Sequence, residues 1–266
     1  MTNVLLEYYV TLRKNIIDLT HSIQEELSEE KLYSMFRNLK CFKAYFNLLK
    51  AIDADLLPGQ ETLITYDHFY RTTEELENLS RQNKQIDKYE SDIGIDLSFL
   101  KSYITELYQS GHQAFMDHVQ RFDLKNLDIY KAKLEEMLPH ESNPERLRNI
   151  ITYTENLIKK VEKILEKKST ARRFHKLKNY IEEIFVLFDI INQDQELENV
   201  LYSKLIKRSS YLYEWYNRVI SYEIIKKYRK DHPVKAESSY GSLEIVKDYL
   251  VKKIFSSGYA WLGHKK

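Results

Sequence analysis

Apolar residues recur at intervals of three and four along almost the whole chain, and this period constrains the fold more than any other feature. Such spacing places apolar side chains on one face of successive α-helices. Only 6 Gly and 4 Pro interrupt the 266 residues, a composition that favours helices over a turn-rich β fold. The sequence therefore predicts an all-α protein. The predicted helices lie near residues 5–19, 28–50, 60–88, 97–121, 124–138, 144–168, 172–188, 193–208, 210–230 and 241–256.

Several positions carry local signals for how these helices begin, end and cross. Ser28 is predicted to cap the second helix, because its hydroxyl can accept a hydrogen bond from the first turn. The segment 93–96, which contains Gly94, is predicted to be a turn. Gly111 interrupts an apolar stripe, which indicates a kink or a close helix crossing. The polar stretch 80–85 is predicted to be exposed or loosely ordered.

The charges of the chain nearly cancel, since 41 Lys and Arg face 40 Asp and Glu. A dedicated nucleic-acid binder is clearly basic, so nucleic acid is not expected as a partner and any polyanion site must be a local patch. Cys41 is the single cysteine, which excludes an intramolecular disulfide and fits a reducing compartment. No signal peptide or run of about 18 apolar residues is present. We therefore expect a soluble cytoplasmic protein without a membrane partner.

Two predicted helices carry the same apolar skeleton 142 positions apart. They are Lys31–Phe46 and Arg172–Phe188, and we call them the motif helices. The matched pairs are Leu32 with Phe174, Met35 with Leu177, Leu39 with Ile181, Phe42 with Ile184, and Phe46 with Phe188. This match predicts an internal duplication.

The best boundary between the two halves is the segment 138–144. Pro139 disfavours helix continuation, and Asn143 with Pro144 suits the start of the next helix. The predicted units are a first helical repeat at 1–140 and a second at 145–256, which includes the C-terminal helix. Because no low-complexity linker separates them, we expect them to pack tightly.

The strongest local charge bias lies between Lys159 and Lys178, where nine Lys or Arg accompany two acids. At about 100° per residue, His175, Lys178 and Glu182 lie along one border of the apolar face of the second motif helix. Lys40 occupies the corresponding border of the first. Side chains at such borders line the cleft between neighbouring helices, where converging Lys and Arg suit phosphate oxygens.

Plainer interpretations exist for each of these residues. A Lys-rich helix face is usually only solvated, and a lone histidine at a helix border is more often packed than catalytic. Lys178 and Glu182, at i and i+4, can simply pair on the surface. Glu182 at the border and Glu183, which points outward, are both interpreted as solvated surface.

The motif helices resemble those of the CHAD family, the conserved histidine α-helical domains. Residues 174–178, Phe-His-Lys-Leu-Lys, look like the family's second motif copy, and residues 32–43 look like a degenerate first copy. Residues 205–217 are similar to a later helix that bears a Gly-x-Trp-His-Asp-like signature, of which Trp215 is kept. The resemblance spans roughly residues 5–230.

This resemblance implies two pseudo-symmetric antiparallel four-helix bundles packed as one compact unit. It also implies binding of inorganic polyphosphate in a basic central cleft, without cofactor, metal or catalytic activity. Arg172 and Lys176 would join the site only through the length of their side chains. The candidate polyanion-binding residues are Arg37, Lys40, Lys43, Arg172, His175, Lys176 and Lys178.

The chain departs from the family pattern at positions where cations or histidines are expected. Each exchange of a cation for Glu lowers the local charge by two, and polyanion affinity depends on the number of cations and on counterion release. We therefore expect the fold to be kept better than the binding. The departures are Tyr33, Phe36, Glu182, Glu183, Tyr216 and Asn217.

Two functions remain open at this point, and a third is disfavoured. The first is a non-enzymatic CHAD-like module that binds polyphosphate or a similar polyanion through a partly degenerate cleft. The second is a helical scaffold that has lost this site and binds another protein, as the 21 Tyr and the near-neutral charge suggest. An enzyme is not expected, since the chain offers neither a phosphate-cradling Gly-rich loop nor a helical di-metal pattern. Neutralisation of the cleft by Glu182 and Glu183 would favour the scaffold.

Overall fold

A computed structural model describes residues 3–138, 144–165, 171–192, 200–233 and 239–261. Within these ranges the chain is helical and contains no β-strand, which confirms the all-α prediction. No helix in them is long and apolar enough to cross a membrane. The helices are α1 Val4–Glu25, α2 Glu29–Ile52, a 3-10 turn Ala54–Leu56, α3 Gln60–Ile93, α4 Ser98–Arg121, α5 Leu124–Met137, α6 Pro144–Leu165, α7 Ala171–Asn192, α8 Val200–Asp231 and α9 Tyr240–Trp261.

Local chemistry sets several of these helix ends as predicted. The Ser28 hydroxyl accepts a hydrogen bond from the backbone N–H of Lys31 at 3.2 Å, which caps α2. Gly94 ends α3 in the left-handed region at φ 68°, a conformation that glycine adopts without a steric penalty. Pro144 begins α6, where its missing N–H leaves no hydrogen bond unmade.

The prediction of separate helices near 193–208 and 210–230 is wrong for the described residues. The single helix α8 runs from Val200 to Asp231 and passes through Ser209 and Ser210 without a break. Serine lowers helix propensity by less than about 0.7 kcal/mol, and neither Gly nor Pro lies within α8 to end it. The predicted start near 193 lies outside the described residues. The predicted end of the helix 144–168 also lies outside them.

The prediction that residues 80–85 are exposed or loosely ordered is also wrong, except for the exposed side chain of Lys84. They are helical within α3, and Gln82 is only 1% exposed. The Ser221 hydroxyl on α8 donates to Gln82 Oε1 at 2.6 Å, and Arg81 Nη1 donates to Asn217 Oδ1 at 3.4 Å. These polar residues are buried because two polar helix faces pack against each other and share hydrogen bonds.

The buried apolar residues form two cores, and each core combines helices from both halves of the chain. One includes Phe42 of α2 and Ile181 of α7. The other includes Ile104 of α4 and Leu243 of α9. The two halves therefore pack as one unit, while their division at 1–140 and 145–256 stays a prediction.

The shared apolar skeleton of the motif helices lies in the first of these cores. All of its members with described side chains are buried, and Phe174 lies outside that set. The buried members are Leu32, Met35, Leu39, Phe42, Phe46, Leu177, Ile181, Ile184 and Phe188.

Gly111 marks a close crossing between α4 and α3, one of the two outcomes predicted for it. A Cβ atom at this position would lie 3.4 Å from Leu76 Cδ1, at the limit of ordinary contact. The absence of a side chain therefore lets the two helices approach each other.

A pair of glycine substitutions tests the left-handed turn after α3. Gly94→Ala should lower the free energy of unfolding by about 1 kcal/mol, because alanine is strained at positive φ. Gly241→Ala serves as the control, since Gly241 lies within α9 and a Cβ there would meet no neighbour within 4 Å. It should leave stability unchanged or raise it slightly. Urea unfolding measures both, and equal effects would contradict the turn.

Candidate functional site

The motif helices lie within α2 and α7. These two helices contact each other and line a cleft of about 240 Å³. We call this space the motif cleft. Its walls carry charges of both signs above a small apolar surface. The lining residues are Lys40, Lys43, Ala44, Asn47, Tyr70, Asn179, Tyr180, Glu182, Glu183 and Val186.

Glu182 is held between two of the predicted cationic residues. Its Oε1 lies 2.6 Å from Lys40 Nζ on α2, and its Oε2 lies 3.2 Å from Lys178 Nζ on α7. Burial by itself would raise the pKa of this carboxyl, but Lys40 and Lys178 outweigh burial and hold the pKa below its usual value. The carboxylate therefore stays charged and neutralises part of the cationic patch.

Lys178 is 5% exposed, so its pairing is internal and the surface pair proposed from the sequence is wrong. Its Nζ also lies 4.2 Å from the centroid of the Tyr216 ring on α8. The ring face attracts the ammonium group, and this attraction strengthens when water is excluded. Glu182 and Tyr216 together compensate a charge that would be costly to bury alone.

Glu183 does not point outward as predicted, because its carboxylate is hydrogen-bonded inside the cleft. Tyr153 of α6 donates to it at 2.6 Å, and Asn47 of α2 donates at 3.3 Å. Burial raises the pKa of Glu183, and these two hydrogen bonds only partly offset the effect. Glu183 thus links three helices as a structural acceptor.

Lys43 and His175 each lie beside a tyrosine ring. Lys43 is exposed and its Nζ lies 4.2 Å above the Tyr70 ring. His175 is exposed as a residue, but neighbouring atoms partly desolvate its ring. This desolvation lowers the pKa of His175, and the charge of Lys178 lowers it further. The imidazole therefore adds no charge at neutral pH.

The remaining candidates lie away from these contacts or outside the described side chains. Arg37 is exposed. Burial raises the pKa of Asp189 near the end of α7, and the charge of Arg37 partly offsets this rise. Lys176 is exposed, as its outward position on the helix predicted. The side chain of Arg172 lies outside the described set. The structure therefore brings Lys40 and Lys178 together on Glu182 and keeps Arg37 and Lys176 apart from that pair.

A second buried ion pair continues this network towards α8. Glu77 of α3 is 2% exposed, and its carboxylate lies 2.6 Å from Arg81 Nη2. Burial raises the pKa of Glu77, whereas Arg81, Lys40 and Lys178 lower it. Charges therefore alternate from α2 through α7 to α3. The sequence analysis missed Glu77 and Arg81, although their i,i+4 spacing in a breaker-free helix was a usable signal.

No group of three or more His, Cys, Asp and Glu side chains that could hold a metal ion occurs in the described ranges. The charged side chains that line the motif cleft are engaged in ion pairs, in hydrogen bonds from neighbouring helices or in contact with an aromatic ring. The site can therefore provide hydrogen bonds and a mixed electrostatic surface.

Comparison with known proteins identifies the fold. No protein-family model matches the chain, and no curated protein matches it. A solved structure does: the crystal structure of the CHAD domain from the plant Ricinus communis superposes with a TM-score of 0.77, over 100% of this chain and 93% of that one. The fold is that of a CHAD domain. The two chains are only 10% identical, so the likeness shows the fold alone, and at that level the resemblance drawn from the motif helices is confirmed.

Glu182→Gln tests the contribution of the Glu182 ion pairs to stability. This change removes the negative group between two lysines and leaves Lys178 buried without its carboxylate. We expect the free energy of unfolding to fall by about 1–3 kcal/mol, less than for a fully buried pair because Glu182 is partly exposed. Glu136→Gln on α5 is the control, since Glu136 is exposed. An equal effect of both changes in urea unfolding would refute the role of Glu182.

Comparison of the wild type with Glu182→Gln also tests how the Glu182 ion pairs depend on pH. Because the pKa of Glu182 is depressed in the folded state, its contribution to stability is present above the usual value of 4.5 and is lost as the pH falls below it. The stability difference between the wild type and Glu182→Gln should therefore shrink in acid. Unfolding curves at pH 7 and at decreasing acid pH measure it, and a constant difference would contradict the prediction.

Proposed function

We propose that the chain is a non-enzymatic CHAD-like helical module that acts as a protein-binding scaffold and has lost most of its capacity for polyphosphate. The observation that carries this proposal is the contact of Glu182 with both Lys40 and Lys178. These two lysines are central candidates for a polyanion site, and both are already paired within the chain.

The charge of the motif cleft supports the loss of polyanion binding. Two lysines and two glutamates line it, so its net charge is zero. Binding of a polyanion draws on the number of cations it contacts and on the counterions it releases. A phosphate chain that reached Lys40 would compete with the Glu182 carboxylate, which stays in place and repels it.

The surface supports a protein partner. Tyr33 replaces the histidine that the family resemblance expects in the first motif copy, and its side chain is 51% exposed. Exposed tyrosines are frequent anchors at protein interfaces, and a neutral surface with both signs of charge suits a protein better than a polyanion. Tyr33 is therefore a candidate contact on α2.

A weak residual polyanion site is the second candidate, and Lys43 is the observation that favours it. It lines the motif cleft, is exposed and forms no ion pair within the described part of the chain. Lys176 on α7 is exposed as well. These cations predict weak binding that disappears as the salt concentration rises.

Polyphosphate titration distinguishes the two functions. In filter-binding assays at low salt the wild type should retain little polyphosphate, whereas Glu182→Lys should retain at least about tenfold more, because it adds two positive charges at the cleft. Glu136→Lys changes the net charge equally on α5 and is the matched control. Strong retention by the wild type, weakened by Lys43→Glu, would favour the polyanion site over the scaffold.

Site-specific photo-cross-linking tests the scaffold directly. A photoreactive phenylalanine analogue at Tyr33 should yield a discrete cross-linked protein in cells that contain the chain. The same analogue at Ile129, which is 68% exposed on α5, is the control. No product from position 33, or the same products from both positions, would count against a protein-binding surface at Tyr33.

A further inference from the structure

A second pocket, of about 320 Å³, lies between α3, α8 and α9 and shares no lining residue with the motif cleft. We call it the tyrosine pocket. Its volume is at the lower end of the range of about 300–1,000 Å³ that is usual for small-molecule sites, so it suits one small molecule and not a polymer. The lining residues that carry the argument are Gln85, Lys88, Tyr89, Tyr213, Asn217 and Tyr249.

Asn217 lines this pocket, and a hydrogen bond from Arg81 sets the orientation of its amide. The residue is 6% exposed, and its Oδ1 accepts a hydrogen bond from Arg81 Nη1 at 3.4 Å. A guanidinium group only donates, so the amide oxygen must face Arg81 and the NH₂ group turns away from it. Among the described residues this NH₂ group has no hydrogen-bond acceptor. The NH₂ group can therefore donate to water or to a ligand that carries an acceptor.

An aromatic surface lies beside this amide. Tyr213 is 39% exposed, and the Arg81 guanidinium lies 4.8 Å from its ring centroid. Tyr213 also lines the pocket, where its ring can meet a flat ligand. Tyr249 packs on Tyr89 with a centroid distance of 5.7 Å, and its hydroxyl donates to Asp92. The rings are thus held in place by contacts within the chain.

The charges of the tyrosine pocket are largely paired, which limits the charge of its ligand. Arg218 contacts Glu214 at 3.0 Å and donates to the Lys253 carbonyl oxygen at 3.3 Å. Lys88 is exposed and has no ion pair among the described residues. One such lysine can meet a single phosphate group, but it does not make a polyanion site.

We propose that the tyrosine pocket binds a nucleobase-bearing monomer, namely a nucleoside or a nucleoside monophosphate. The base would stack on Tyr213, as bases do on exposed aromatic side chains. The amides of Asn217 and Gln85 offer the donors and acceptors that Asn and Gln present to base edges. Lys88 would contact the phosphate of the monophosphate. This inference is independent of the proposed function, because none of its residues lies at the motif cleft.

Calorimetric titration of the full chain tests the proposal. The probes are the 5′-monophosphates of adenosine, guanosine, cytidine and uridine, with ribose 5-phosphate as the ligand that lacks a base. At least one nucleotide should bind about fivefold or more tightly than ribose 5-phosphate, the effect of one base stacking on an aromatic ring. Equal binding of all probes, or no binding of any nucleotide, overturns the proposal.

Variants locate the bound nucleotide. Tyr213→Ala should weaken binding of the best nucleotide at least about fivefold, whereas Ile129→Ala, at an exposed residue on α5, should leave it unchanged. Gln85→Ala provides a second variant in case Tyr213→Ala does not fold, and it should also weaken binding. Unchanged affinity in the folded pocket variants overturns the assignment. The polyphosphate assay reads the motif cleft separately, so its outcome does not bear on this pocket.

Discussion

The contact of one carboxylate with two lysines holds the centre of this protein together. Glu182 joins α7 to α2 through Lys40, and it compensates Lys178, which is almost fully buried. The adjoining pair of Glu77 and Arg81 extends the alternation of charge into α3. Removing any one of these groups would leave an uncompensated charge where water is scarce. The mixed charge of the cleft therefore follows from these ion pairs.

This arrangement explains how a CHAD fold can persist while its cleft changes character. The apolar skeleton of both motif helices is buried in one core and fixes their placement. The polar border residues are less constrained by packing, so a glutamate can stand where the family resemblance expects a cation. Once there, Glu182 satisfies lysines that would otherwise repel each other. The cleft then contains an internal ion pair, and its opposite charges offset each other.

Much of the fold could be predicted from the sequence, because helical periodicity and caps such as Ser28 are local signals. The contacts of the motif cleft were harder to predict from the sequence. Periodicity placed Lys178 and Glu182 on one helix border, but the approach of Lys40 depends on how two distant helices cross. The burial of Gln82 was missed for a related reason. A polar stretch is predicted to be solvent-exposed when its packing partner is unknown. Here the partner is a polar face of α8.

The ion pair between Lys40 and Glu182 distinguishes a single duplicated chain from a dimer of identical chains. The two residues are 142 positions apart, the offset that relates the motif helices, so they occupy matched positions of the predicted duplication. In a dimer of identical chains, a residue on the two-fold axis meets its own copy, and a lysine there can only face a lysine. Opposite charges at this point require two positions that mutate independently. A single chain with two halves of different sequence can therefore form this contact, whereas a dimer of identical chains cannot.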